Sequence, residues 1–198
     1  PKNLCPLIKS SYGFAVSDKC PYTYFSDLIV GETTCDGKKK MYELLGQLKD
    51  VYILHLPQCA DRPYAEAMWL NELQRFREAL EKKFNVTITD EDLRRAAAFR
   101  NEIRQAQTAL MELQKLAPPP FSGLGLYKIL ESVGFSFDLA ESLKKLREIA
   151  EQIKKDYAAG VRPVPLSAKR ILVTGCPIGG VLQKTVKVIE ENGGVVVC

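Results

Sequence analysis

Two short apolar runs bracket a helical pattern early in the chain, and this arrangement restricts the fold more than any other feature. The stretch "YTYFSDLIV" at 22–30 ends in β-forming residues. The stretch "VYILHLP" at 51–57 is short, apolar and rich in β formers, which predicts a buried strand. Between them, residues 37–48 read as a helix with Asp36 as the N-cap candidate. Strand, helix and strand at this spacing make a βαβ unit, whose two strands must run parallel. The same order returns at the far end. There "RILVTGCPIGG" is a strand entering a glycine-rich turn, residues 181–192 are a helix stopped by Gly193 and Gly194, and "VVVC" opens another strand.

The middle of the chain is helical. Trp69, Leu73, Phe76 and Leu80 share one face of a helix over 63–84, with Met68 beside them. Thr89 and Asp92 have capping-box spacing, with Asp in place of Glu. The helix they start can run to about Leu116, where "APPP" stops it. Further helices are expected near 123–133 and 138–158, the second striped by Leu143, Leu146, Ile149, Ile153 and Tyr157. The expected layout is one part of an α/β domain at 1–62, a helical segment at 63–160, a linker at 161–169 and the start of a second α/β domain at 170–198. Neither α/β piece has enough strands to be complete, so the chain reads as an internal segment of a larger protein.

Composition narrows the function classes. Of 198 residues, 46% are hydrophobic and 26% charged, which fits a soluble globular protein. A net charge of +4, spread on helices that also carry acids, is too mild to imply nucleic acid. No apolar run reaches the ~18 residues of a membrane span. "PKNLCPLIKS" lacks the pattern of a signal peptide, so the cytoplasm is the expected compartment.

Six cysteines are many for such a chain. Its size, helicity and missing signal disfavour a disulfide framework, which raises metal, cluster or redox chemistry. No C-x-x-C is present, so neither a zinc ribbon nor a thioredoxin motif fits. "GETTCDGKKK" approaches a phosphate-binding loop but fails it: five residues separate Gly31 from Gly37, and Lys39 stands where a Ser or Thr belongs. Cys35 is the better clue. It falls after a parallel strand and at a helix start, where ligands bind in open sheets and where thiolates and anions are favoured. Cys176 repeats that placement. Cys5 and Cys20 precede prolines and are expected on bends or strand ends. Cys59 reads as structural. His55, the single histidine, reads as a core residue of its strand. Lys38, Lys39 and Lys40 oppose the helix dipole, and are explained if an anion lies before them. A nucleotide-binding α/β module and a non-enzymatic helical interaction protein remain as alternatives.

The stretches "LCPLIKSSYGFAVSDKCPYTYFSDLIVGETTCDGKKKMYELL", "VYILHLPQ", "ILVTGCPIGG" and "KVIEENGGVVVC" together resemble the 2-hydroxyacyl-CoA dehydratase and benzoyl-CoA reductase family. Cys20 and Cys176 make the likeness strongest to its double-cubane-cluster branch. The resemblance implies flavodoxin-like three-layer parallel-sheet domains holding an iron–sulfur cluster, [4Fe–4S] or double-cubane, between them. It further implies an ATP-dependent activator protein that delivers single low-potential electrons, an acyl-CoA or other hard-to-reduce substrate, and a dimer. Carried onto this sequence, Cys5 and Cys35 match the family's first two cluster thiolates, and Cys20 and Cys176 match thiols of the double-cubane branch. Lys38 and Lys39 would border the cofactor.

Overall fold

The computed structural model describes residues 3–175 and 181–197. The chain divides into two compact units, Pro1–Thr89 and Asp90–Cys198. Both mix helix with short parallel strands, and helix predominates.

The first unit is ordered α1 (Pro6–Val16), α2 (Pro21–Phe25), β1 (Ile29–Glu32), α3 (Asp36–Leu45), β2 (Val51–Leu54) and α4 (Ala65–Phe84). β1 and β2 pair in parallel, with Ile29 opposite Val51 and Glu32 opposite Leu54. The βαβ order read from the apolar runs is therefore present. Its core is Ile8, Ala15, Met41, Tyr42 and Leu45, backed by Ile29, Val51 and Ile53 from the strands. Burying side chains such as Ile8 and Leu45 contributes about 1.5–3 kcal/mol each. α4 lies along β2, with Phe76 and Tyr52 ring centroids 4.9 Å apart. It ends at Asn85, whose φ of 52° lies in the left-handed region that closes helices.

Three local expectations are corrected here. Cys5 and Cys20 are not on bends or strand ends, because Pro6 and Pro21 each open a helix. Proline is preorganised for that first position and its missing N–H goes unneeded there. Asp36 is the first residue of α3, and the cap is Cys35, which is extended (φ −144°, ψ 130°) while its carbonyl accepts from Lys39 N–H at 3.0 Å. The strand at 51–57 stops at Leu54 and is only half-buried. His55 N–H donates to Glu72 Oε1 at 3.1 Å, and Leu56 N–H to Thr33 Oγ1 at 2.9 Å, so side chains take over from the ladder.

The second unit is ordered α5 (Asp90–Leu113), α6 (Gly123–Gly134), α7 (Leu139–Ala158), β3 (Lys169–Ile171), α8 (Val181–Glu191) and β4 (Gly194–Val196). Ser122 caps α6 and Asp138 caps α7, accepting from Gly125 and Glu141 N–H at 3.0 and 2.9 Å. Leu143, Leu146 and Ala150 of α7 pack against Ile103, Ala106 and Leu110 of α5 and Leu126 of α6. β3 and β4 are parallel. Glu190 joins these parts, accepting from Gly123 N–H at 2.6 Å and Leu124 N–H at 3.3 Å at the start of α6. Among the described residues, no helix is long and apolar enough to cross a membrane.

Candidate metal centre

Cys5 and Cys35 occupy the same structural position on two helices. Cys5 is the N-cap of α1 and Cys35 the N-cap of α3. Both thiols are free and exposed, and neither sulfur makes a capping hydrogen bond. The two first turns are packed together by a glycine. A Cβ on Gly37 would run into Ile8 Cδ1, and would lie 3.5 Å from Leu4 Cδ1 and 3.8 Å from the Cys35 sulfur. Leu4 and Ile8 flank Cys5 and its first turn, so the missing side chain at Gly37 lets the two cysteine-capped ends adjoin. Helix N-termini carry orphan N–H groups and a partial positive charge. Two adjoining ones favour an anion held beside them.

Cys20 caps the short α2, and its sulfur accepts from Thr23 N–H at 3.4 Å. The Thr23 side chain, and after it this backbone bond, lower the thiol's pKa. α2 is anchored at its other end by a residue with no motif to announce it. Lys49 Nζ donates to the carbonyls of Thr23, Tyr24 and Ser26 at 2.7, 2.9 and 2.5 Å. A lysine meeting carbonyls left open at a helix end is a known stabilising arrangement, but the pairing spans too much sequence to be read from a window. Cys59 is exposed in the loop after β2, so it is not a core side chain. Cys176 and Cys198 lie outside the described residues. Among the described residues, no three His, Cys, Asp or Glu side chains gather in a metal-holding group.

Each of the three lysines has a carboxylate partner. Lys38 Nζ is 2.8 Å from Glu32, Lys39 3.1 Å from Asp36, and Lys40 2.6 Å from Glu43. Glu32 is the hub of a small network. It also accepts from Thr34 Oγ1 at 2.7 Å and from the Tyr42 hydroxyl at 3.4 Å. The Lys38 hydrogen bond, then the Thr34 one, hold its carboxyl down at about 2. Glu32 in turn raises the Lys38 pKa, with a smaller contribution from nearby Cys35. The lysine run is thus neutralised locally, and only Lys38 is tied to both the strand end and the cysteine.

The carboxyl edge of β1 and β2 opens into a cavity of about 470 Å³, whose lining includes Thr33, Lys39, Ile53, His55, Gln58 and Met68. His55 is exposed here, which corrects its reading as a core histidine. The strand ends one residue before it, so its side chain no longer belongs to the pleat.

With this geometry described, likeness to other proteins becomes informative. The sequence matches the model of the family described as 2-hydroxyglutaryl-CoA dehydratase, D-component, over residues 1–198. It is also 45% identical over 197 residues to an Escherichia coli (strain K12) protein named "Putative dehydratase subunit YjiM". That alignment covers 100% of this chain and 51% of the relative, so the chain spans about half the relative's length. The family match over the whole chain and the high identity agree with the resemblance carried by the cysteine-bearing stretches: this chain belongs to the 2-hydroxyglutaryl-CoA dehydratase D-component family.

Proposed function

We propose that this chain carries part of the iron–sulfur centre of a 2-hydroxyacyl-CoA dehydratase or a related low-potential reductase. The observation that carries the reading is the adjoining of the α1 and α3 N-termini, each capped by a free cysteine. Thiolate is the usual ligand of iron–sulfur clusters, and soft donors suit them. The residues present fit part of such a donor set: two exposed thiols, engaged neither in a disulfide nor in a cap. Four thiolates are the common complement, so further ligands are needed. Cys20, Cys176 and sequence outside this chain are the candidates. When bound, the cluster would supply single low-potential electrons to an acyl-CoA or another hard-to-reduce substrate.

In this reading the chain's own residues bind and shield. Cys5 and Cys35 hold the metal. The N-terminus of α3, which Cys35 caps, sets a partial positive charge beside a bound anionic group. Lys38, held by Glu32, keeps a positive charge beside Cys35 without moving into the ligand set. Lys39 borders the strand-edge cavity. The βαβ units are then parts of flavodoxin-like three-layer domains, and an ATP-dependent activator is the electron donor to a dimer.

The reading is tested by reconstituting the full-length protein with iron and sulfide in the absence of oxygen. Cys35→Ser is expected to lower bound iron and sulfide and to abolish reduction by the activator with ATP. Unchanged iron and unchanged reduction would overturn the proposal.

A further inference from the structure

Beside the start of α3 lies a cavity in which two polar side chains have no protein partner among the described residues. The backbone around it is already satisfied: Thr33 N–H donates to Leu54 O at 3.2 Å, and the His55 and Leu56 amides use Glu72 and Thr33. The His55 imidazole and the Gln58 amide, by contrast, make no hydrogen bond to protein among the described residues. Among the described residues Lys39 is paired only with Asp36, whose side chain is 97% exposed. Such a surface pair is worth about 0–1 kcal/mol, so an incoming anion can replace Asp36 at little cost. One wall is apolar, made by Ile53, Leu56 and Met68. The volume of about 470 Å³ is in the range of small-ligand sites, and the location is the carboxyl edge of a parallel strand pair, where open α/β sheets bind ligands.

We propose that this cavity is a subsite for a small aliphatic carboxylate, with the Lys39 ammonium and the His55 imidazole as its two donors and the aliphatic part against Ile53, Leu56 and Met68. The inference adds a substrate subsite to the proposed cluster-bearing enzyme and rests on that reading. A carboxylate fits better than a phosphate because the lining holds a single lysine, and Glu72 stands behind the His55 backbone as a nearby acid.

The test uses the full-length protein and nuclear magnetic resonance of histidine ring protons, with the His55 signal assigned as the one absent from His55→Gln. Butyrate at fixed pH is expected to shift that signal saturably. Lys39→Met should weaken the apparent affinity about tenfold, the loss of one charge-assisted contact, and Lys39→Arg should restore most of it. Calorimetric titration of His55→Gln with butyrate should show a similar loss. Fluorescence of Trp69 checks that each variant is folded. A butyrate shift that does not saturate, or that survives Lys39→Met, overturns the subsite. Inorganic phosphate binding as tightly as butyrate overturns the carboxylate assignment. Iron content measured on the same samples separates this outcome from the cluster reading: the subsite variants should retain their iron, whereas failure of the cluster reading appears only as iron unaffected by Cys35→Ser.

Discussion

Gly31 looks like the first glycine of a phosphate loop, but the structure assigns it a different reason, and Gly31→Ala tests that reason. Its φ is not positive, so backbone freedom is not what the position requires. What it requires is space. An added Cβ would stand 2.5 Å from Tyr42 Cε2 and Cζ and 2.8 Å from Cδ2. Carbon contacts are comfortable near ~3.5–4.0 Å, so the ring must retreat by about 1 Å. Tyr42 is 8% exposed and packed between α1 and the strands, and its hydroxyl reaches Glu32. Overpacking of this kind costs about 1–3 kcal/mol. Ala is favoured over Gly within an element by about 0.5–1 kcal/mol, which offsets part of it. The net expectation is a destabilisation of about 1–2 kcal/mol. Urea unfolding followed by Trp69, the single tryptophan and a member of the same unit, reads this directly. With a slope of about 1–3 kcal/mol/M, the midpoint should fall by roughly 0.3–2 M at unchanged slope. Adding Tyr42→Leu to Gly31→Ala should produce a coupling between the two sites, because one change makes the room the other needs. If Gly31→Ala alone is as stable as the parent, or more so, the ring does not occupy that space and the argument is wrong.

Other consequences follow from individual contacts. Glu32 has a depressed pKa, so its stabilising effect is complete above the ordinary value of 4.5 and is lost as pH falls through about 2. The stability gap between the parent and Glu32→Gln, discounted for exposure to about 1 kcal/mol, should be constant near neutrality and shrink between those pH values in urea titrations. Lys49→Met should remove three carbonyl contacts and leave residues 20–26 less protected. Hydrogen exchange there should quicken by about ten-fold or more, while α4 is unaffected. Gly123→Ala should damage the second unit alone, because its Cβ would lie 2.6 Å from Val196 Cβ and run into the Val196 carbonyl. The expected loss is about 2–3 kcal/mol, seen by circular dichroism with the Trp69 signal unmoved.

The parts of the fold that were legible in the sequence were those written in local periodicity. The parallel β1 and β2 pair follows from two apolar runs around a helical pattern, and α7 from the stripe that includes Leu143 and Leu146. α5 stops at Leu113, with turns to Leu116 before the prolines, close to the expected break. Cys-Pro suggests a bend as readily as a helix start, and in α1 and α2 the proline takes the first helical position. Asp36 has the side-chain preference of a cap, whereas the extended backbone of Cys35 decides it. An apolar run carries no mark for where pairing ends, and the strand before His55 ends on contacts to Thr33 and Glu72. The cysteines proposed for the site stand out in the sequence, but their geometry does not. Nothing periodic connects positions 5 and 35. What joins them is the packing of Ile8 and Leu4 on Gly37, a contact only the folded chain creates.

The most direct test of the central claim reads both cysteines at once in the unaltered protein. Full-length protein is treated with iodoacetamide before and after anaerobic reconstitution with iron and sulfide, and modification of each cysteine is mapped by mass spectrometry. Without metal, Cys5, Cys35 and Cys59 should all react, since all three thiols are free and exposed. With metal, the account predicts that Cys5 and Cys35 become protected together and in proportion to bound iron, while Cys59 continues to react. Bound iron with Cys5 and Cys35 still reacting as fast as Cys59 would contradict it.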